Sequence, residues 1–145
     1  MSLKECYAGV EKVTSNFQSI SLLLARLTIA YGFYDPAMKK WQGIDNVAGW
    51  FGSMGIPFPT LNAYMAATTE TLGVILLTLG LFTRLISIPL IVVMLVAIFL
   101  VHFPNGFSAA ENGFEIPFYF MLFLMIFTSF GAGKFSLDNF LFKRD

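Results

Sequence analysis

The chain has 145 residues, of which 57% are hydrophobic and only 12% are charged. A soluble domain carries about 25% charged residues, so this composition excludes an ordinary water-facing surface and favours a membrane domain. Basic and acidic residues balance at nine each, which removes the electrostatic basis for binding nucleic acid. With a single cysteine, the chain has no disulfide framework of its own.

Residues 1–19 form a polar segment ahead of the first apolar run. This segment lacks the apolar core and cleavage site of a signal peptide, so we expect the first membrane helix to direct insertion. Val10, Val13 and Phe17 recur at helical spacing, which predicts an amphipathic helix at the membrane surface. We therefore divide the chain into an interfacial segment, residues 1–19, and one membrane domain, residues 20–142.

Four apolar runs approach the ~20 residues that a helix needs to cross a hydrocarbon core about 30 Å thick. They cover residues 17–38, 60–82, 85–103 and 114–130. The pattern predicts an all-α integral membrane protein, a four-helix bundle. Residues 44–54, in the first connection, read as a short helix lying in the membrane plane, with Trp41 and Trp50 at the interface.

The lysines and arginines predict the orientation of this bundle. With four spans, both termini and the second loop lie on one face, which carries Lys4, Lys12, Arg84, Lys134, Lys143 and Arg144. The opposite face carries only Lys39 and Lys40. The positive-inside rule then places both termini in the cytoplasm. We expect a multi-pass protein of the bacterial or archaeal cell (inner) membrane.

Two charges interrupt the apolar runs, Arg26 in the first and Glu70 in the second. At 1.5 Å per residue, Arg26 lies roughly 13 Å and Glu70 roughly 15 Å into its run, from opposite sides of the membrane. Antiparallel neighbours would bring the two charges to one depth. They then form either a buried salt bridge that fixes helix register or the polar wall of a ligand or proton site.

A second group of polar residues is expected near the outer face, around a hydrophobic mouth. It comprises Tyr31, Tyr34, Asp35, Lys39, His102 and Glu115. These groups suit the orientation or protonation of a quinone-like headgroup, or a charge network that seals the helix ends. One histidine with carboxylates at variable spacing is a weak metal-ligand set, so we predict no metal.

Several short motifs combine these charges with glycines and turn residues. In chain order they are Arg26-Leu27, Glu70-x-x-Gly73, Gly80-x-x-Thr83-Arg84, His102 with Asn105-Gly106-Phe107, Asn112-Gly113-Phe114-Glu115 and Gly131-x-Gly133-x-x-Ser136-Leu137-Asp138. In them the chain resembles the DoxX family of four-helix membrane proteins, over about residues 22–141. Many members of that family have His-Gly before a lysine at the end of the first helix. Here Asp35-Pro36 precedes Lys39, so a role that rests on that histidine does not transfer.

The resemblance implies a redox-associated membrane subunit, because some relatives are membrane subunits of thiosulfate:quinone oxidoreductase. It implies quinone as the cofactor and a redox partner subunit, and it allows a homo-oligomer. Since His102 is the only histidine, this chain does not supply a pair of haem ligands. A non-catalytic scaffold or assembly factor is the alternative. A small-solute carrier is less favoured, because the third run offers almost no polar side chain for a path.

Overall fold

The computed structural model describes residues 1–143, and all regular structure in that range is helical. The α-helices are α1 (Leu3–Ser15), α2 (Gln18–Gln42), α3 (Ile44–Ser53), α4 (Pro59–Leu79), α5 (Thr83–Val96), α6 (Glu115–Phe130) and α7 (Leu137–Phe142). Helix α5 continues without a break into a π-helical stretch, Ala97–His102, and a 3₁₀ turn, Phe103–Asn105. Arg144, which contributes to the predicted orientation, lies outside the described residues.

The predicted apolar runs overlap the long helices, and the largest differences in their bounds are at the ends of α4 and α2. Helix α4 ends at Leu79 rather than at residue 82, because Gly80 adopts a left-handed conformation with φ of 69°. Helix α2 extends to Gln42, four residues past the predicted end, and contains Pro36 in its interior. The all-α class is confirmed for the part of the chain that the structure describes.

The four long helices surround a common core. Helix α2 packs on α4, α4 on α5, α5 on α6, and α6 in turn contacts α2. The buried apolar side chains that fill the interior include Ile29, Phe33, Leu77, Leu90, Leu124 and Phe127. Gly32 allows close approach of α2 and α6, since a Cβ at this position would collide with the ring of Phe120.

The outer surfaces of these helices are apolar as well. Leu85, Ile88, Val92 and Phe99 are all more than half exposed along α5 and its π-helical continuation. Exposed apolar surface on this scale marks a face that meets lipid or a partner rather than water. By length and composition, one helix within residues 1–143, Thr83–Asn105, is able to cross a membrane; α6 is apolar but shorter.

The two short helices at the start of the chain and in the first connection differ in their packing. Helix α1 begins with a capping box between Ser2 and Glu5, and none of its residues is buried. Helix α3 packs on α4 through a small cluster of Ala48, Phe51 and Ala63. Both helices were predicted. Helix α3 also forms part of the wall of the cavity described below.

Candidate functional site

Arg26 and Glu70 lie apart, and each has its own partners. The two carboxylate oxygens of Glu70 are each 3.0 Å from Nζ of Lys40, whereas Arg26 donates to the backbone carbonyl of Leu77. Glu70 and Leu77 are seven residues apart on α4, about 10 Å along the helix axis. Of the two alternatives for Arg26 and Glu70, the ion pair between them is therefore wrong, as is their common depth, and only Glu70 borders the cavity described below.

Arg26 caps the C-terminal end of α4 by donating hydrogen bonds to its backbone carbonyl groups. Its Nη1 lies 2.7 Å from the carbonyl oxygen of Leu77 and 3.4 Å from that of Thr78, and its Nη2 lies 2.6 Å from that of Phe135. The last four carbonyls of a helix have no partner within the helix. Arg26 is fully buried and supplies donors to two of them, while also holding the C-terminal segment in place. A guanidinium also interacts favourably with the negative end of a helix dipole.

The C-terminal segment completes the same junction through Asp138. Its carboxylate accepts hydrogen bonds from the backbone N–H groups of Phe82, at 2.7 Å, and Thr83, at 3.0 Å. These groups lie at the start of α5, which has no side-chain cap from its own N-cap residue. The backbone N–H of Asp138 donates in return to the carbonyl of Gly80. Arg26 and Asp138 thus join α2, the α4–α5 turn and the start of α7.

We expect Gly80→Ala to lower the free energy of unfolding by about 2 kcal/mol or more, because alanine is strained at positive φ and the junction is tightly packed. A Cβ here would lie 2.5 Å from Cβ of Ser136 and 2.6 Å from Nη1 of Arg26. Thermal unfolding in detergent micelles measures the effect. Gly49→Ala is the matched control, since its Cβ would meet nothing within 4 Å. Equal melting temperatures for the two variants would contradict this account of the junction.

A cavity of about 870 Å³ lies between α2, α3, α4, α5 with its π-helical continuation, and α6. Pockets that bind drug-sized ligands have volumes of about 300–1,000 Å³ and mostly apolar walls. The walls here are largely apolar, with Phe33, Phe51, Leu100 and Phe120 among the lining side chains. The size and lining suit a lipophilic molecule.

A small number of polar side chains interrupt these apolar walls. They are Lys40, Asn62, Thr69, Glu70 and His102. Glu70 is 2% exposed, so its carboxylate is held in the interior by the ammonium of Lys40. A buried ion pair facing a cavity can orient a polar ligand group, which a pair sealed within packed side chains cannot.

Two of the helices that line the cavity have irregular positions in its wall. Pro36 in α2 and Pro89 in α5 both border the cavity, and each removes one backbone donor from its helix. The π-helical stretch Ala97–His102 also contributes to the wall. π-Helical turns occur frequently at functional sites. All three irregularities therefore lie in the wall of the cavity, together with the polar groups.

The remaining predicted site residues lie outside the cavity. Asp35 and Lys39 form an ion pair of 2.8 Å on an exposed helix face. Tyr31 is 82% exposed and Tyr34 is also exposed. Glu115 accepts a hydrogen bond from a backbone N–H in the third loop. Of the eight residues predicted from the sequence, the structure brings only Glu70 and His102 to the cavity wall.

Lys40 is the site residue that the sequence reasoning missed, although a signal for it exists. Arg26, Ala30, Phe33 and Ala37 are buried along one face of α2, at spacings of three and four residues. Lys40 continues that spacing, whereas the adjacent Lys39 does not. The periodicity of the buried face therefore distinguishes the inward lysine from the outward one.

Over residues 1–143 the chain is all-helical, with a ligand-sized, half-open apolar cavity whose wall holds the ion pair of Lys40 and Glu70. The DoxX family model matches residues 21–103, more than half of the chain. The chain belongs to the DoxX family of membrane proteins, as its motifs indicated. No solved structure matched it.

Similar proteins occur in several bacteria. An uncharacterized protein of Haemophilus influenzae is 34% identical over 85% of this chain and 92% of its own length. The protein named "Putative oxidoreductase CatD" of Bacillus subtilis is 30% identical over 86% of this chain and 89% of its own. "Inner membrane protein YphA" of Escherichia coli is 33% identical over 48% of this chain and 49% of its own.

Proposed function

We propose that this protein is the membrane subunit of a redox-associated system and binds a quinone-class ligand in the cavity. The observation that carries the proposal is the cavity of about 870 Å³, apolar except for Lys40, Glu70 and a few neutral polar groups. A quinone combines an apolar ring and tail with two polar oxygens, so it needs this combination of walls. Lys40 donates two hydrogens to Glu70 and has a third for a ligand oxygen.

The redox part of the proposal is supported by the name of the Bacillus subtilis relative, "Putative oxidoreductase CatD". The chain contains one histidine and one exposed cysteine, so neither a pair of haem ligands nor a dithiol comes from it alone. A partner subunit therefore supplies the electrons in this proposal. The membrane subunit supplies a binding site that a lipid-soluble carrier reaches from the bilayer.

We further propose that α2, α4, α5 with its continuation, and α6 all cross the bacterial inner membrane, with both termini in the cytoplasm. The apolar outer faces of α5 and α6 and the distribution of lysine and arginine support this topology. The name of the Escherichia coli relative supports the location. In this topology the junction of Arg26 and Asp138 lies toward the cytoplasm, and the ion pair of Lys40 and Glu70 lies nearer the outer face.

The proposed function is tested by measuring quinone binding to a variant in which a larger side chain fills part of the cavity. Purified full-length protein in detergent is titrated with a short-chain ubiquinone, and binding is followed by quenching of tryptophan fluorescence, since Trp50 borders the cavity. Ala97 borders the cavity and Leu95 does not. We expect Ala97→Phe to weaken binding more than tenfold and Leu95→Phe to leave it unchanged.

Two outcomes would overturn the proposal. Equal binding by Ala97→Phe and the unmodified protein would place the ligand outside the cavity. If the unmodified protein binds no quinone, the ligand assignment is wrong and the scaffold or assembly factor becomes the better account of the family resemblance.

A further inference from the structure

His102 borders the cavity from the end of the π-helical stretch, and its hydrogen bond selects one tautomer of its neutral ring. Nδ1 lies 3.0 Å from the backbone carbonyl oxygen of Asn112. A carbonyl oxygen only accepts, so the hydrogen of this bond belongs to Nδ1. In the neutral imidazole, the other nitrogen, Nε2, is then a hydrogen-bond acceptor.

The bond of His102 is part of an ordered loop rather than an isolated contact. The side-chain amide of Asn105 donates to the same carbonyl of Asn112 at 3.0 Å. The backbone N–H of Phe114 donates to the carbonyl of Gly106, and Glu115 accepts from the backbone of Ala109. The loop therefore holds the carbonyl of Asn112 in place. The hydrogen bond to that carbonyl in turn stabilises the tautomer of His102 with its hydrogen on Nδ1.

Several polar groups of the cavity offer an acceptor to a ligand hydroxyl, beside the donors of Lys40, Thr69 and Trp50. The carboxylate of Glu70 has lone pairs beyond those that Lys40 uses, and Nε2 of His102 has no partner among residues 1–143. The amide nitrogen of Asn62 donates to the carbonyls of Pro57 and Phe58, which leaves its amide oxygen as another acceptor. Lys40 is the one cation that borders the cavity in the described part of the chain.

We propose that the cavity prefers the reduced, dihydroxy form of its ligand, a hydroquinone, and that Nε2 of His102 accepts a hydrogen bond from a ligand hydroxyl. This inference rests on the proposed function and adds the redox state that the site selects. A quinone presents only carbonyl acceptors, which would face the lone pair of Nε2. A site built to pair with a hydroxyl rejects an analogue that lacks it. His102 acts here as a specificity-determining residue, and no chemical step is assigned to it.

The test compares three probes on the full-length protein in detergent, by calorimetric titration without oxygen. The probes are a short-chain ubiquinone, its hydroquinone and the dimethyl ether of that hydroquinone. We expect the unmodified protein to bind the hydroquinone about tenfold more tightly than the dimethyl ether, and more tightly than the quinone. The dimethyl ether keeps the ring and loses both hydroxyl donors, so this ratio isolates the hydrogen bonds.

His102→Asn is the informative variant, because an asparagine amide nitrogen can take the place of Nδ1 and keep the bond to Asn112. The shorter side chain falls short of the position of Nε2. We expect His102→Asn to reduce the preference for the hydroquinone over the dimethyl ether to less than threefold, with the affinity for the ether unchanged. Glu111→Gln, an exposed change in the same loop, keeps the full preference.

The ratio of two affinities within one variant does not depend on how much of the sample is folded. An unchanged preference in His102→Asn would overturn the role of His102 while leaving the quinone-class site intact. A tighter complex of the unmodified protein with the quinone than with the hydroquinone would overturn the redox preference. Absence of binding by all three probes would overturn the proposed function, and this inference with it.

Discussion

We expect Lys40→Met to lower the free energy of unfolding by about 3–5 kcal/mol, the range found when one partner of a buried ion pair is removed. Glu70 is 2% exposed, and both of its carboxylate oxygens take their hydrogen bonds from Lys40. Without the ammonium, an ionised carboxylate remains in the interior with no opposite charge. Reversible unfolding in mixed micelles of denaturing and mild detergent measures the loss.

The neighbouring lysine provides the matched control. Lys39 pairs with Asp35, and both side chains are about 70% exposed. Lys39→Met should therefore change the stability by less than about 1 kcal/mol. Replacing both buried partners, Lys40→Met with Glu70→Leu, should recover most of the loss because no buried charge is left unpaired. Similar losses for the two lysines, or a double variant no more stable than Lys40→Met, would contradict the assignment of the pair.

Arg26→Met should also lower the free energy of unfolding by about 3–5 kcal/mol, because a buried acceptor left without a donor costs about 1–3 kcal/mol. The guanidinium donates to three backbone carbonyls, those of Leu77, Thr78 and Phe135. Arg26→Lys should recover only part of the stability, since an ammonium lacks the planar fork that reaches two elements at once. The same unfolding experiment measures both variants.

Arg84 serves as the control for this prediction. It lies in a family motif, as Arg26 does, but it is exposed. Arg84→Met should change the stability by no more than about 0.5 kcal/mol. If Arg26→Met and Arg84→Met proved equally mild, Arg26 would not hold the end of α4, and its buried position would need another explanation.

The helices were predictable because each comes from a long apolar run, and α4 and α6 are each followed directly by a glycine. The importance of Arg26 and Glu70 was predictable too, since a charge in such a run demands a partner. The partners of these two charges were not predictable. Counting residues gives a depth along each helix, but it fixes neither the relative register of two helices nor the reach of a long lysine side chain.

The partners of Arg26 illustrate a second reason why the site could not be predicted from the sequence. They are backbone carbonyls, which every residue has, so no side chain in the sequence marks them. One of them belongs to Phe135, more than a hundred positions away. The cavity was equally hidden, because it lies between α2, α3, α4, α5 and α6, and apolar patterns do not give the relative placement of these helices. Only the motif of Glu70 and the lone histidine pointed to its wall.

The junction held by Arg26 also has a consequence for the order of events during biosynthesis. The family model covers residues 21–103, yet the partners that close α2 against the α4–α5 turn include Phe135 and Asp138. When the ribosome has made all of the family segment, Arg26 has the carbonyls of Leu77 and Thr78 but still lacks its third acceptor, the carbonyl of Phe135, and the start of α5 lacks the carboxylate of Asp138. Helices made early therefore lack contacts with residues translated late, and a nascent chain stalled before residue 135 would expose this incomplete end to proteases.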